Sequence, residues 1–435
     1  MNNALSRRTF LAAGAAIPLA DAACRAAEGA AAAEVIGPLV GHTDTTSTIL
    51  WARFAKPGRH VLKLRTADGK ETVREITAEA KAENDNTIHW FISGLETGTR
   101  YLAETAGGRP CSFTTAPAPE APAKVKLAFG SCAREDEGSR AVWTRMLAEN
   151  PDVVVLGGDT PYIDSTDIAK QRSRHRAFAS VPEYQSLLST RPFWSTWDDH
   201  DFGKNDADGT LKGKENSRQV FTEYRAQTEF GDGKEGIYTS FRWGPVEMFL
   251  IDARWWSYTG PSFADPTQKT LLGKGQWEWL TAQLRASTAP FKLLMNGVIW
   301  EDKQNKEKDD WETYNAERAA LFTFIKEQRI SGVMLIGGDI HVTRLLRYPP
   351  KFAGYPLWDF ISSPIHDKVI PALNVPHPFL LESKEQPNTF LELTADSTVQ
   401  PPTLTARFLD TEGKSLFADT VVSLSDVTPK GTRGE

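Results

Sequence analysis

The chain has 435 residues, 40% of them hydrophobic and 24% charged, which suits a soluble globular protein of two or three domains. Its formal net charge of -6 argues against a nucleic-acid partner, because phosphate-backbone binders need clustered Lys and Arg. At the start, Ser6-Arg7-Arg8-Thr9-Phe10-Leu11 and the mildly apolar, Ala-rich run after it form a twin-arginine pattern. Residues 1–27 therefore read as an export leader taken up by the twin-arginine translocase, with an ordinary secretory leader as the alternative. No later stretch reaches the ~18 apolar residues of a membrane span. The expectation is a periplasmic or secreted monomer without stable membrane insertion. Beyond the leader only Cys111 and Cys132 remain, either paired as one disulfide or free for separate roles.

Residues 34–115 alternate as strands at 48–54, 60–65, 71–78, 87–92 and 99–105, which predicts an N-terminal β-sandwich. Within it, Gly94-Leu95-Glu96-Thr97-Gly98-Thr99-Arg100-Tyr101 resembles the tyrosine corner of fibronectin type III domains. The Pro- and Ala-rich stretch 116–123 reads as a linker. From Lys124 short apolar runs alternate with helical segments, the pattern of an α/β or α+β layered domain. The runs are 125–129, 153–156, 193–197, 246–251, 292–295 and 333–336, and polar or Gly-rich residues follow each at once. Ligands of layered sheets bind beyond the carboxyl ends of the strands, so six such ends predict one convergent site. After residue 390 the alternation returns and is expected to finish the catalytic body, 124–428, with further strands.

The strongest chemical signal follows the run 193–197, where Asp198, Asp199, His200 and Asp201 stand in succession. Carboxylates leaving a core strand need compensation, and a metal ion is the simplest source; a solvated acidic loop is the alternative. In Gly157-Gly158-Asp159-Thr160-Pro161-Tyr162 a strand-to-helix turn brings a carboxylate and a phenol to one side, where a strongly Lewis-acidic ion such as ferric iron can take both. A helix cap is the competing reading. Asp339 and His341 stand two apart, pointing the same way on an extended segment. The other six of the eight histidines lack such a setting and read as satisfied or exposed.

The order Gly130-Ser131-Cys132, Gly158-Asp159-x-x-Tyr162, Trp197-Asp198-Asp199-His200-Asp201, Gly338-Asp339-x-His341 resembles the PhoD-type alkaline phosphatase and phosphodiesterase family, within the wider metallophosphoesterase and purple acid phosphatase superfamily. Gly213-Lys214-Glu215-Asn216-Ser217-Arg218, Leu250-Ile251-Asp252-Ala253-Arg254, and Leu272-Gly273 with Gln276-Trp277-Glu278-Trp279-Leu280 extend the similarity. It covers the chain from about Lys124 onward, and the sandwich in front also fits the family's layout.

The resemblance implies a layered metallophosphoesterase domain with a multinuclear centre of one Fe3+ and divalent ions, calcium in the best-known members. Cys132, Asp159, Tyr162 and His341 would hold the iron, with Asp159 bridging. Asp199 and Asp339 would hold the divalent side, with Asn216 as a further ligand or phosphate contact. Whether Asp198 or Asp199 is the ligand stays open. His200 would donate a proton to the leaving group. Arg218 and Arg254 are candidates for gripping phosphate oxygens, or else for structural pairing, for instance Arg254 with Asp252. The expected activity is hydrolysis of small phosphate mono- or diesters by a metal-activated hydroxide. A phospholipase D-type action on lipids and a non-catalytic, metal-stabilised surface-binding protein are the alternatives.

Overall fold

The computed structural model describes residues 35–430, and the expected leader 1–27 lies outside them. All six apolar runs are strands. Three of them, Phe193–Thr196, Val153–Gly157 and Lys124–Gly130, pair in parallel in that order. Phe390–Asp396, Thr403–Leu409 and Thr420–Ser423 then continue that sheet antiparallel to six strands. The other three runs lie in a seven-stranded sheet, in which Val246–Leu250, Phe291–Met295, Val333–Gly337 and Leu357–Ile361 are parallel neighbours.

The two sheets share a core in which Leu127, Phe129, Val153 and Val155 meet Phe249, Leu293 and Leu335. On the outer side of the first sheet, Val154 and Leu156 pack against Val142, Trp143 and Met146 of helix Glu137–Glu149. Burial on both faces explains why these strands read as continuous apolar runs rather than alternating ones. Each buried aliphatic side chain contributes roughly 1.5–3 kcal/mol. Because the central strands are parallel, their carboxyl ends open on one side of the molecule.

Residues 35–114 form a three-stranded and a four-stranded antiparallel sheet, whose shared core includes Val40, Leu50, Trp90, Leu62, Leu64 and Phe113. Alternation predicts half-buried strands, but Val35–Thr43 and Ser47–Phe54 are buried along almost their whole length. Their second face is covered: Ile36, Leu39, Ile49 and Trp51 pack with residues of the catalytic body. The Trp51 indole donates to the Glu223 carbonyl (2.8 Å), and the His42 amide donates to Ala226 (2.7 Å). The stretch 116–123 is pinned at both ends, by the Ala116 amide on the Asp44 carbonyl (2.9 Å) and the Ala123 amide on Ser397 Oγ (3.0 Å). Among the described residues no helix is long and apolar enough to cross a membrane.

Candidate metal centre

At the shared carboxyl edge, glycines let the loops approach more closely than side chains would permit. A Cβ at Gly158 would lie 2.6 Å from the Asp198 nitrogen, and one at Gly297 would lie 2.6 Å from Asp198 Cγ. The chain also accepts backbone strain here. Cys132, Asp159, Asp339 and His341 have φ of 57°, 53°, 66° and 54°, the left-handed region, at about 1–2 kcal/mol each. Side chains leaving three separate strand ends are thereby turned toward one another.

Four donor groups result, each with its ligand atoms within 4.8 Å of one another: Cys132, Asp159 and His341; Asp159, Asp199 and His200; Asp198, Asp199 and Asp339; Asp199, Asp206 and Asp309. Asp159 belongs to two groups and Asp199 to three, so the groups form one continuous array. Tyr162 completes the first group, with its hydroxyl 2.8 Å from His341 Nε2. Asn216 is half-buried, and its amide donates to the Thr166 carbonyl (3.1 Å) beside the segment that carries Asp164. Both neighbouring aspartates belong to donor groups, and the two Asp199 oxygens accept the backbone amides of His200 (3.0 Å) and Asp206 (2.6 Å). Asp198 is engaged by Arg254 through Oδ1 (2.6 Å), although its buried Oδ2 has no partner.

These donors suit cations. Burial, and then Asp159 beside it, hold the Cys132 thiol well above the ordinary range. Burial, then Asp199, does the same to Asp159, and burial raises Asp339 to about 7. Without added positive charge such a cluster takes up protons; a bound ion reverses that by stabilising thiolate, phenolate and carboxylates together. The unpartnered Asp198 Oδ2 and the soft, hard and imidazole donors around it fit a centre of more than one ion.

His200 stands in the short helix Asp199–Phe202, begun by a capping box between Asp198 and Asp201. Its Nδ1 lies 2.5 Å from Asp164 Oδ1, which leaves Nε2 free to move a proton. Burial pulls the imidazole down, but the hydrogen-bonded Asp164, with Asp159 and Asp199, more than reverses this and raises it to about 9.

Of the two readings open for Arg218 and Arg254, structural pairing is the one their contacts fit. Arg218 donates to the carbonyls of Gly236 and Phe230, both at 2.8 Å. Arg254 is 1% exposed and bonded to Asp198, the Ala207 carbonyl and Asp309, so its guanidinium is spent on protein groups. Its partner is Asp198 rather than the Asp252 side chain, which instead accepts the backbone amides of Arg254 and Trp255. Cys111 and Cys132 are both free and buried, in different sheets' neighbourhoods, which removes the disulfide reading.

Several participants escape the sequence argument. Asp164 orients His200, but it lies in an irregular stretch without a motif. His366 lies beyond a seventh strand end, after Ser362-Ser363-Pro364-Ile365, which is the signal that could have found it. Burial keeps its ring neutral down to about pH 4, and its Nδ1 accepts the Lys368 amide (3.0 Å). The ring proton is therefore on Nε2, which donates to the Tyr162 oxygen (3.0 Å), while burial, then Cys132 and Asp159, hold that phenol well above its ordinary range. Arg134 lies over the Tyr162 ring, 4.3 Å from its centroid, half-buried and with no ion pair among the described residues.

Comparison with known proteins agrees with this architecture. Alkaline phosphatase D of Bacillus subtilis (strain 168) is 24% identical over 375 residues, 71% of this chain and 64% of that protein, so the chain spans less than two thirds of that relative's length. A structure of PhoD superposes with a TM-score of 0.75 at 19% identity, over 93% of both chains. A purple acid phosphatase from yellow lupin (Lupinus luteus) seeds superposes with a TM-score of 0.68 at 10% identity, over 92% of this chain and 78% of that one. These two likenesses concern the fold. The model of the PhoD-like phosphatase family matches residues 127–401, a span that contains every donor of the array, and the chain belongs to that family.

Proposed function

We propose that the chain is an exported, metal-dependent phosphoesterase acting on small phosphate mono- or diesters. In this reading a fibronectin type III-like sandwich, 34–115, and a linker, 116–123, precede the catalytic body, 124–428. The observation that carries it is the continuous array of donor groups running into a histidine whose far nitrogen is held by a carboxylate. Cys132, Asp159, Tyr162 and His341 would hold one ion, for which Fe3+ is the candidate that the family resemblance implies and that a phenolate beside a carboxylate suits. Asp199 and Asp339, with Asn216, would hold the divalent side, for which calcium is the first candidate. Bound ions would supply Lewis acidity, activating water and offsetting the charge that gathers on phosphorus.

The chain's own residues divide the remaining work. His200 delivers a proton from Nε2 to the departing oxygen, while Asp164 fixes the ring and favours its protonated form. Arg134, which lies over the Tyr162 ring and makes no ion pair among the described residues, takes the role expected of Arg218 and Arg254 and holds a non-bridging phosphate oxygen. Arg254 and His366 position the array without touching substrate.

The test is metal analysis of protein purified by its native export route, with a panel of mono- and diesters assayed before and after chelation. Activity lost on chelation and restored by metal is the expected result; full activity in the chelated protein would defeat the proposal. A coloured protein that bleaches in Cys132→Ser supports iron, whereas a colourless, active protein containing only zinc removes it. Arg7→Lys with Arg8→Lys should strand folded enzyme in the cytoplasm, and unchanged export would assign the general secretory route.

A further inference from the structure

The divalent side of the array already contains a cation of its own. Lys303 is 2% exposed at its side chain, and its Nζ lies 2.6 Å from Asp339 Oδ2 and 2.7 Å from Asp309 Oδ1. These are the distances of an ammonium donating to carboxylate oxygens, and Glu307 Oε2 is a third neighbour at 3.2 Å. Arg254 supplies a second fixed cation, against Asp198 (2.5 Å) and Asp309 (3.2 Å).

The buried carboxylates of the donor groups on this side are Asp198, Asp199, Asp309 and Asp339, while Asp310, also buried, has its two oxygens on the amides of Lys303 and Thr313. Counted as carboxylates against two fixed cations, the four donors leave two negative charges, the complement of one divalent ion. Asp206 and Glu307 lie at the exposed or half-exposed rim, where water screens them. Nor is Lys303 free to swing away. Its amide donates to Asp310 (2.9 Å), and its loop is flanked by Trp300 and Trp311, both fully buried and stacked with centroids 4.4 Å apart. Trp311 is tied in turn to Asn296 Oδ1 (3.2 Å).

We propose that Lys303 is a resident cation of the centre: its ammonium stands in for one divalent ion, so that a single divalent ion joins the ion held by Cys132, Asp159, Tyr162 and His341. The inference rests on the metal-dependent reading above. It also makes Lys303 a positioning residue, because it holds Asp339 without reaching substrate.

The test counts metal. Protein purified by its native export route and dialysed against calcium is analysed by elemental mass spectrometry, beside Lys303→Met and Lys303→Arg. The wild type and Lys303→Arg should hold one ion of each kind, and Lys303→Met should gain a second divalent equivalent. In parallel, wild-type protein is acylated with an amine reagent, with and without calcium, and the modified lysines are mapped by mass. Lys303 should stay protected in both. Two divalent ions in the wild type, a calcium-dependent exposure of Lys303, or a folded Lys303→Met without the extra ion would each overturn the proposal. If Lys303→Met does not fold, the wild-type count and protection decide alone. Wild-type protein that binds no metal at all would instead defeat the metal-dependent reading itself.

Discussion

Replacing Arg254 by Met removes a buried guanidinium that contacts Asp198 at 2.5 Å and Asp309 at 3.2 Å and lies 3.8 Å from Asp199. Met fills much of the volume, so the main loss is electrostatic. Leaving buried carboxylates without their counter-charge costs about 3–5 kcal/mol. At a urea slope of roughly 3 kcal/mol/M for a chain of this size, the unfolding midpoint of chelated protein should fall by about 1 to 1.7 M. The loss carries a pH signature. Burial already raises the Asp198 carboxyl above its unfolded value, and without Arg254 the rise is larger. The folded variant then holds protons that the unfolded chain has released. Its deficit should be small while pH stays below the raised wild-type value of Asp198 and grow as pH climbs from there toward the still higher value in the variant. A divalent ion in the array restores positive charge, so the deficit should shrink in the metal-loaded protein. Arg254→Lys, which keeps the charge without the fork, should fall between the two. A chelated Arg254→Met protein within about 1 kcal/mol of wild type at pH 7, or a deficit that ignores pH, would refute the view that Arg254 neutralises the cluster.

Four further variants separate the roles assigned above. His200→Ala should keep its metal and lose roughly 10²- to 10⁴-fold in rate on esters with poor leaving groups, with far less loss on esters of acidic phenols; equal losses on both would make His200 a phosphate-positioning residue. Asp164→Asn should return the His200 ring from about 9 toward its ordinary value in metal-free protein, read by NMR titration. The stability that this pair contributes should be complete below pH ~6.5 and disappear as pH rises through about 9, so an unchanged titration would remove Asp164 as the orienting group. Gly297→Ala places a Cβ 2.6 Å from Asp198 Cγ and should cost about 1–3 kcal/mol in chemical unfolding, with weakened metal retention; wild-type values for both would show that the loop yields freely. Arg134→Met should raise KM about tenfold or more with metal content intact, and an unchanged KM would leave the phosphate without a protein cation.

The local chemistry of this protein could be read from its sequence because each donor stands where a buried strand ends. Asp159, Asp199 and Asp339 follow apolar runs too short and too continuous to be anything but interior strands, and polarity that rises abruptly at such an end has few structural uses. Tyr162 and His341 could be read for the same reason, by their short spacing from those aspartates. What the sequence could not reveal is which groups meet across long separations. Arg254 looked available because nothing local satisfied it, and its true partners lie about fifty residues away on either side. Asp164, His366 and Lys303 carry no motif and acquire meaning only through the side chains that the two sheets bring against them. The N-terminal strands make the same point in packing. The pattern at 48–54 reads as a strand and does not single out 35–43, and only the docking of Trp51 and His42 onto the catalytic body decides that both faces are covered. Periodicity is a property of neighbours along the chain, whereas charge compensation in a buried cluster depends on every group within a few ångströms, and the tertiary fold alone determines which those are.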